Sequence, residues 1–257
     1  MNLTDLQVEL RAIKGDMATN MRAIEDRLSD LHAEIENMKP KDGSKLAILR
    51  ADKVAVEKTA SWNSQESWQV GDVIKFGDYP QGANGEVKPI EWQVLRRDNE
   101  GVLVISKYAL DCQPYNEVFV NITWSQCTLR RWLNSEFINK AFSESERAQI
   151  TQRHLSNPNS KWNNVPGGPA TDDKIFCLSH DEALSLFAND GQRQCYPTAY
   201  AKSRYAWTND NGFCAWWLRS PGGSADSAAL VDSVGGLDLS RVNNDILAVR
   251  PAFFIAL

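Results

Sequence analysis

The sequence predicts an α+β globular domain preceded by a long N-terminal helix. Three observations lead there. All aromatic residues lie at or beyond Trp62, and residues 1–61 hold only Gly15 and Gly43 among the glycines. The first forty residues carry an apolar repeat of three and four. From Trp68 onward, period-two strand patterns come first, helical patterns follow, and strands return at the end, an order characteristic of segregated α+β domains.

The N-terminal repeat runs Leu3, Leu6, Leu10, Ile13, Met17, then Met21, Ile24, Leu28, Leu31, Ile35, Met38. Within each run this is the a/d seam of a heptad. The step from Met17 to Met21 is a stutter, which relaxes the left-handed supercoil without ending the helix. Thr4 suits the N-cap, and Lys39-Pro40 with Gly43 ends the pattern. Residues 1–40 are therefore expected to form a coiled coil holding two or three copies of the chain together. A long helix folded back on the globular part is the other reading of the same seam. Residues 41–67 read as a linker and 68–257 as the globular domain.

In that domain, residues 70–76, 90–95 and 102–105 read as strands, with a turn at 98–101 joining the last two into a hairpin. Residues 124–142 place Leu129, Trp132, Leu133, Phe137 and Ile138 on one helical face. Ser143 with Glu146, and Ser179 with Glu182, have the capping-box spacing and open two further helices. Residues 155–172 and 188–212, rich in Asn, Gly, Pro and Ser, read as loops. Residues 213–219, 228–231 and 249–255 read as strands, and Pro251 restricts the last to a sheet edge or a bulge.

Composition narrows the function. With a net charge of −5, the chain lacks the basic field that gathers nucleic acid or an anionic membrane surface. No stretch has the apolar length of a membrane span. The N-terminus is not a signal peptide, so a cytoplasmic or virion-associated location is expected. Five cysteines without a CxxC favour buried thiols over disulfides or zinc. The three histidines, His32, His154 and His180, have no nucleophile or acid in a recognisable pattern. No catalytic residue, metal or cofactor is expected.

A set of motifs carries a resemblance. FGDY at 76–79, PIEW at 89–92, ISKYAL at 105–110, LRRWLN at 129–134, WLRSPG at 217–222 and VRPA at 249–252 recur in this order in DUF6273 domains. That family resembles the C-type-lectin fold in its formylglycine-generating-enzyme-like form, and several members resemble variable proteins of diversity-generating retroelements. The resemblance implies a non-enzymatic, receptor-type domain whose hypervariable segment lies between the last two motifs, at 223–247. Retroelement diversification randomises adenines, mostly in AAC or AAT codons, and such codons cannot become Lys, Glu, Gln, Met or Trp. The segment contains none of these five. A static loop of small residues would show the same absence.

The expected contact residues are Ser224, Asp226, Ser227, Leu230, Asp232, Ser233, Leu237, Asp238, Leu239, Ser240, Arg241, Asn243, Asn244, Asp245 and Ile246. Ala228, Ala229 and Val231 are expected to face inward. Leu237, Leu239 and Ile246 form an apolar patch for a protein or surface ligand if exposed, and core if buried. Arg219 and Arg250, which flank the segment, are expected to anchor loop backbone or a buried carboxylate. Two alternatives remain open. A carbohydrate-binding lectin, with or without calcium, is suggested by the WTND stretch at 207–210, although its usual partner triplet is missing. A formylglycine-generating oxidase relative would need paired cysteines late in the chain, and no cysteine follows Cys214.

Overall fold

The computed structural model describes residues 68–99 and 101–257, which belong to one compact unit of mixed α+β structure. The expected coiled coil at 1–40 and linker at 41–67 lie outside the described residues.

Two five-stranded sheets form the frame. In the first, β1 (Val73–Pro80), β2 (Val87–Asp98) and β3 (Gly101–Ser106) make an antiparallel meander, followed by β12 (Ala252–Ile255) and β5 (Ile150–Thr151). The expected hairpin is present, with Asp98 paired to Gly101. In β2 the buried Ile90, Trp92 and Val94 alternate with half-buried Glu91 and Gln93, and β3 is buried along its whole length. Trp92 anchors this core. Its ring meets Phe253 edge-on at 4.6 Å and stacks on Phe142 at 6.0 Å, while its Nε1 donates to the Phe76 carbonyl at 2.7 Å. That last bond removes the cost of burying the indole N–H.

The second sheet has the order β10 (Leu237–Arg241), β9 (Ser227–Val231), β8 (Trp216–Pro221), β11 (Ala248–Val249) and β4 (Asp111–Cys112). Trp217 is fully buried beneath it, packed on Tyr115 at 5.7 Å and donating to the Gln113 carbonyl. A two-stranded ribbon, β6 (Arg153–Leu155) with β7 (Thr171–Asp173), completes the β structure.

The predicted strand at 249–255 is two strands, and Pro251 sits at the break. Proline has no N–H to give a ladder. Here the chain leaves the second sheet after β11 and joins the first at β12. It enters both in interior positions, so the sequence expectation of a sheet edge or a bulge is corrected to a crossing between sheets.

The predicted helix at 124–142 starts later, at α1 (Thr128–Trp132), behind Cys127, whose thiol accepts the Arg130 N–H. It continues through a π-helical turn, Leu133–Phe137, into α2 (Ile138–Ala141). Asn134 in that turn accepts the N–H groups of Lys174 and Ile175 and donates to the Ile175 carbonyl, tying helix to chain. Both predicted capping boxes form in full, opening α3 (Glu144–Arg147) and α4 (His180–Ser185). The predicted loop at 188–212 contains two short helices, α5 (Asp190–Arg193) and α6 (Ala199–Ser203). All five cysteines are free and buried, as expected. No described helix is long and apolar enough to cross a membrane.

Candidate binding surface

Segment 223–247 is a turn, the interior strand β9, a second turn, the edge strand β10 and a final loop. The turn at 232–236 is closed by Asp232, whose Oδ1 accepts the N–H groups of Val234 and Gly236. Residues Ser224, Asp238, Leu239, Arg241, Asn243, Asp245 and Ile246 are exposed, and Asp226, Asp232, Ser233, Leu237, Ser240 and Asn244 are half-buried. Of the apolar trio, Leu239 and Ile246 are 37% and 41% exposed and Leu237 is half-buried, so two of the three reach solvent.

Ser227 and Leu230 are corrected. Both are buried in β9, as are Ala228, Ala229 and Val231. Ala228, Ala229 and Val231 were expected inward and Ser227 and Leu230 outward, but β9 is an interior strand buried along its whole length, so every position is interior. Ser227 is a turn staple. Its hydroxyl donates to the Ser224 carbonyl at 2.9 Å and accepts the Ser224 N–H at 2.9 Å.

The rest of the domain grips this segment by its backbone. Asn163 Nδ2 donates to the Gly223 carbonyl, Asn209 Nδ2 to Ser233, and Arg193 Nε to Gly235, at 2.9, 3.1 and 2.8 Å. Main-chain N–H groups of Ile122, Asn116, Trp207 and Gln113 donate to the carbonyls of Ala225, Val242, Ile246 and Leu247. The hydrogen bonds of the segment's polar side chains stay inside the segment among the described residues. Ser224 bonds Asp226, and Asn244 Nδ2 donates to Ser240 Oγ. Arg241 makes one outward contact, its guanidinium lying 5.5 Å from the Phe119 ring centre.

The two motif arginines behave as anchors. Arg219 is 4% exposed and holds Glu182 through two hydrogen bonds, one of them 2.8 Å, while Nη1 also donates to the Cys177 carbonyl. Glu182 caps α4 with its other contacts. Burial pushes the Glu182 carboxyl up, but the Arg219 hydrogen bonds and charge, with the Ser179 N–H, outweigh it and hold the carboxyl below its ordinary value of 4.5. A depressed carboxylate contributes stability above its unfolded value and loses it as pH falls through the folded one. Thermal melts should therefore fall more steeply below pH 4.5 in the native protein than in Glu182→Gln, which carries no titratable group there.

One polar cluster was not foreseen. Tyr79, Asp111, Lys140, Tyr200 and Arg204 line a pocket of about 170 Å³. Tyr79 Oη donates to Asp111 Oδ2 at 2.6 Å, and Arg204 Nε lies 3.8 Å from Oδ1. Burial raises the Asp111 carboxyl, against the pull of Tyr79, the Cys112 N–H and the two cations. The five residues come from distant stretches of chain, so no local spacing announces them. Cys112, next to Asp111, donates from Sγ to the Asp245 carbonyl at 3.1 Å, which sets this pocket beside the end of the segment.

An α+β domain that grips one partly exposed segment by its carbonyls is the class this geometry defines. The chain belongs to the DUF6273 family, a domain of unknown function, matched over residues 99–257. No curated protein and no solved structure matches it.

Proposed function

We propose that this chain is a non-enzymatic, receptor-type binding protein whose 223–247 segment is diversified by a retroelement on a C-type-lectin-like scaffold of the formylglycine-generating type. The observation that supports this reading is the division of labour in the segment. Hydrogen bonds from the frame end on main-chain carbonyls, which every residue type supplies equally. The hydrogen bonds of its exposed side chains stay within the segment, so their identity can change at little cost to the frame. The absence of Lys, Glu, Gln, Met and Trp from the segment agrees with adenine randomisation of its codons. Leu239 and Ile246, exposed among polar neighbours, suit a protein or surface ligand. The N-terminal seam would cluster two or three heads, converting modest single-site affinity into avidity on a repeated target. Light scattering that finds a monomer would remove that part.

Genomic sequence tests diversification directly. A near-copy of codons 217–250 that differs at adenines, beside a reverse transcriptase, is expected, and its absence would leave a static module. A protein-level test is independent of the genome. Simultaneous replacement of Ser224, Asp238, Arg241, Asn243 and Asp245 with Ala is expected to change stability by less than about 0.5 kcal/mol per site, as for surface positions generally. Loss of the folded state in that variant would count against the reading.

A further inference from the structure

Cys195 and Cys214 oppose each other across an isolated antiparallel bridge, with the Cys214 N–H donating to the Cys195 carbonyl at 2.9 Å. Directly opposed residues of such a pair have Cα atoms roughly 5.5 Å apart, within the span that a disulfide bridges. The neighbouring residues on the two strands, Tyr196 and Phe213, stack with ring centres 4.2 Å apart and fix the register. The two thiols are buried, at 1% and 0% exposure.

The same core holds a buried cation. Arg250 is 2% exposed and sits between the Trp216 and Phe187 rings, 5.1 and 5.4 Å from their centres. Its Nε donates to the Ser106 carbonyl at 2.8 Å, but its Nη1 is buried without a hydrogen-bond partner. No carboxylate pairs with it among the described residues. The Cys195 thiol donates to the carbonyls of Tyr196 and Lys107 at 3.5 and 3.6 Å, and the Cys214 thiol to the Cys195 carbonyl at 3.3 Å. A guanidinium does not lose its proton in a protein, and a buried charge calls for a counter-charge. The Arg250 charge acts on both thiols. Burial raises Cys195, but the Cys214 thiol, Arg250 and the Ala109 N–H outweigh it and hold the thiol below its ordinary value. Cys214 is held well above its ordinary value by its hydrogen bond to Cys195 and by burial.

We propose that Cys195 and Cys214 form a peroxide-oxidisable dithiol, with Cys195 as the attacking thiol, Cys214 as the resolving thiol and the buried Arg250 charge assisting the attack. The Cys195 sulfur attacks a peroxide oxygen. An S–O bond forms, the O–O bond breaks, and the departing hydroxide takes up the proton that Cys195 had released, giving water. The Cys214 sulfur then attacks the sulfenic sulfur. An S–S bond forms, the S–O bond breaks, and the hydroxyl leaves with the Cys214 proton as a second water. Two thiols lose two electrons, and one peroxide is reduced. The new bond closes a loop that carries Trp207 and Asn209, whose hydrogen bonds hold Ile246 and Ser233 in the binding segment.

The test uses the full reduced chain and stoichiometric hydrogen peroxide, read by mass spectrometry of non-reduced peptides. The expected product is one disulfide joining Cys195 to Cys214, with Cys112, Cys127 and Cys177 still free. Cys214→Ser should instead accumulate a sulfenic acid at Cys195 that a dimedone probe traps. Arg250→Met should slow the reaction about tenfold or more, with part of the rate restored in Arg250→Lys. Five free thiols in the folded native chain after treatment that oxidises free cysteine, or a disulfide between other positions, overturns the proposal. An unchanged rate in Arg250→Met overturns the role of Arg250.

Discussion

Arg219→Met should destabilise the domain by about 3 kcal/mol, because it leaves Glu182 charged and unpaired beside a buried chain. The low end of the range for a broken buried pair applies, since the Glu182 side chain keeps 29% of its exposure. For a domain of this size that loss lowers the melting temperature by about 9 °C. Glu182→Gln is the informative partner. It keeps one oxygen for the Ser179 N–H and removes the charge together with one of the two oxygens that accept from Arg219. If the ion pair is the main contribution, Arg219→Met with Glu182→Gln should recover part of the loss in Arg219→Met alone. Additive losses in this cycle would assign the effect to the Cys177 carbonyl contact instead.

Gly235→Ala should cost a similar amount or more, although Gly235 lies in the middle of the segment proposed to vary. Its φ is +88°, in the region that L side chains avoid. A Cβ built there would sit 1.9 Å from the Asp190 carbonyl oxygen, and backbone cannot yield as a side chain end can. The Gly235 carbonyl also takes the Arg193 Nε–H. A loss of at least about 3 kcal/mol is expected, measured by urea unfolding. Functional variants drawn from a randomised segment should keep Gly235, Ser227 and Val242 while the exposed positions drift. A variant set with Gly235 freely replaced would show that the turn at 232–236 tolerates another backbone path.

Features written in a few neighbouring residues were legible in the sequence. Ser143 and Ser179, each followed three residues later by Glu, announce two helix starts, and both boxes form because a capping box needs no tertiary partner. The alternation of Ile90, Trp92 and Val94 gave the inward face of β2. What depended on distant chain was not legible. Ser227 and Leu230 read as solvent-facing because nothing near them shows that β9 will be an interior strand buried along its whole length. Strand β10 itself was hidden, since LDLSR also reads as loop. The Asp111 pocket draws on Tyr79, Lys140 and Arg204, separated by dozens of residues. Pro251 correctly marked an interruption, but a local reading of proline cannot say that the chain changes sheets there.

That crossing bears on how the protein is made. Strands β11 and β12 are made after all the other described strands of the domain, yet each takes an interior place, between β8 and β4 in one sheet and between β3 and β5 in the other. Until residues 248–255 emerge, β3 and β8 each present an unpaired edge, the kind of surface on which nascent chains stick to one another. Neither sheet can close early and wait for the other. A chain that lacks residues 248–255 would therefore lose both central ladders and be a substrate for chaperones and proteases, not a slightly shortened receptor.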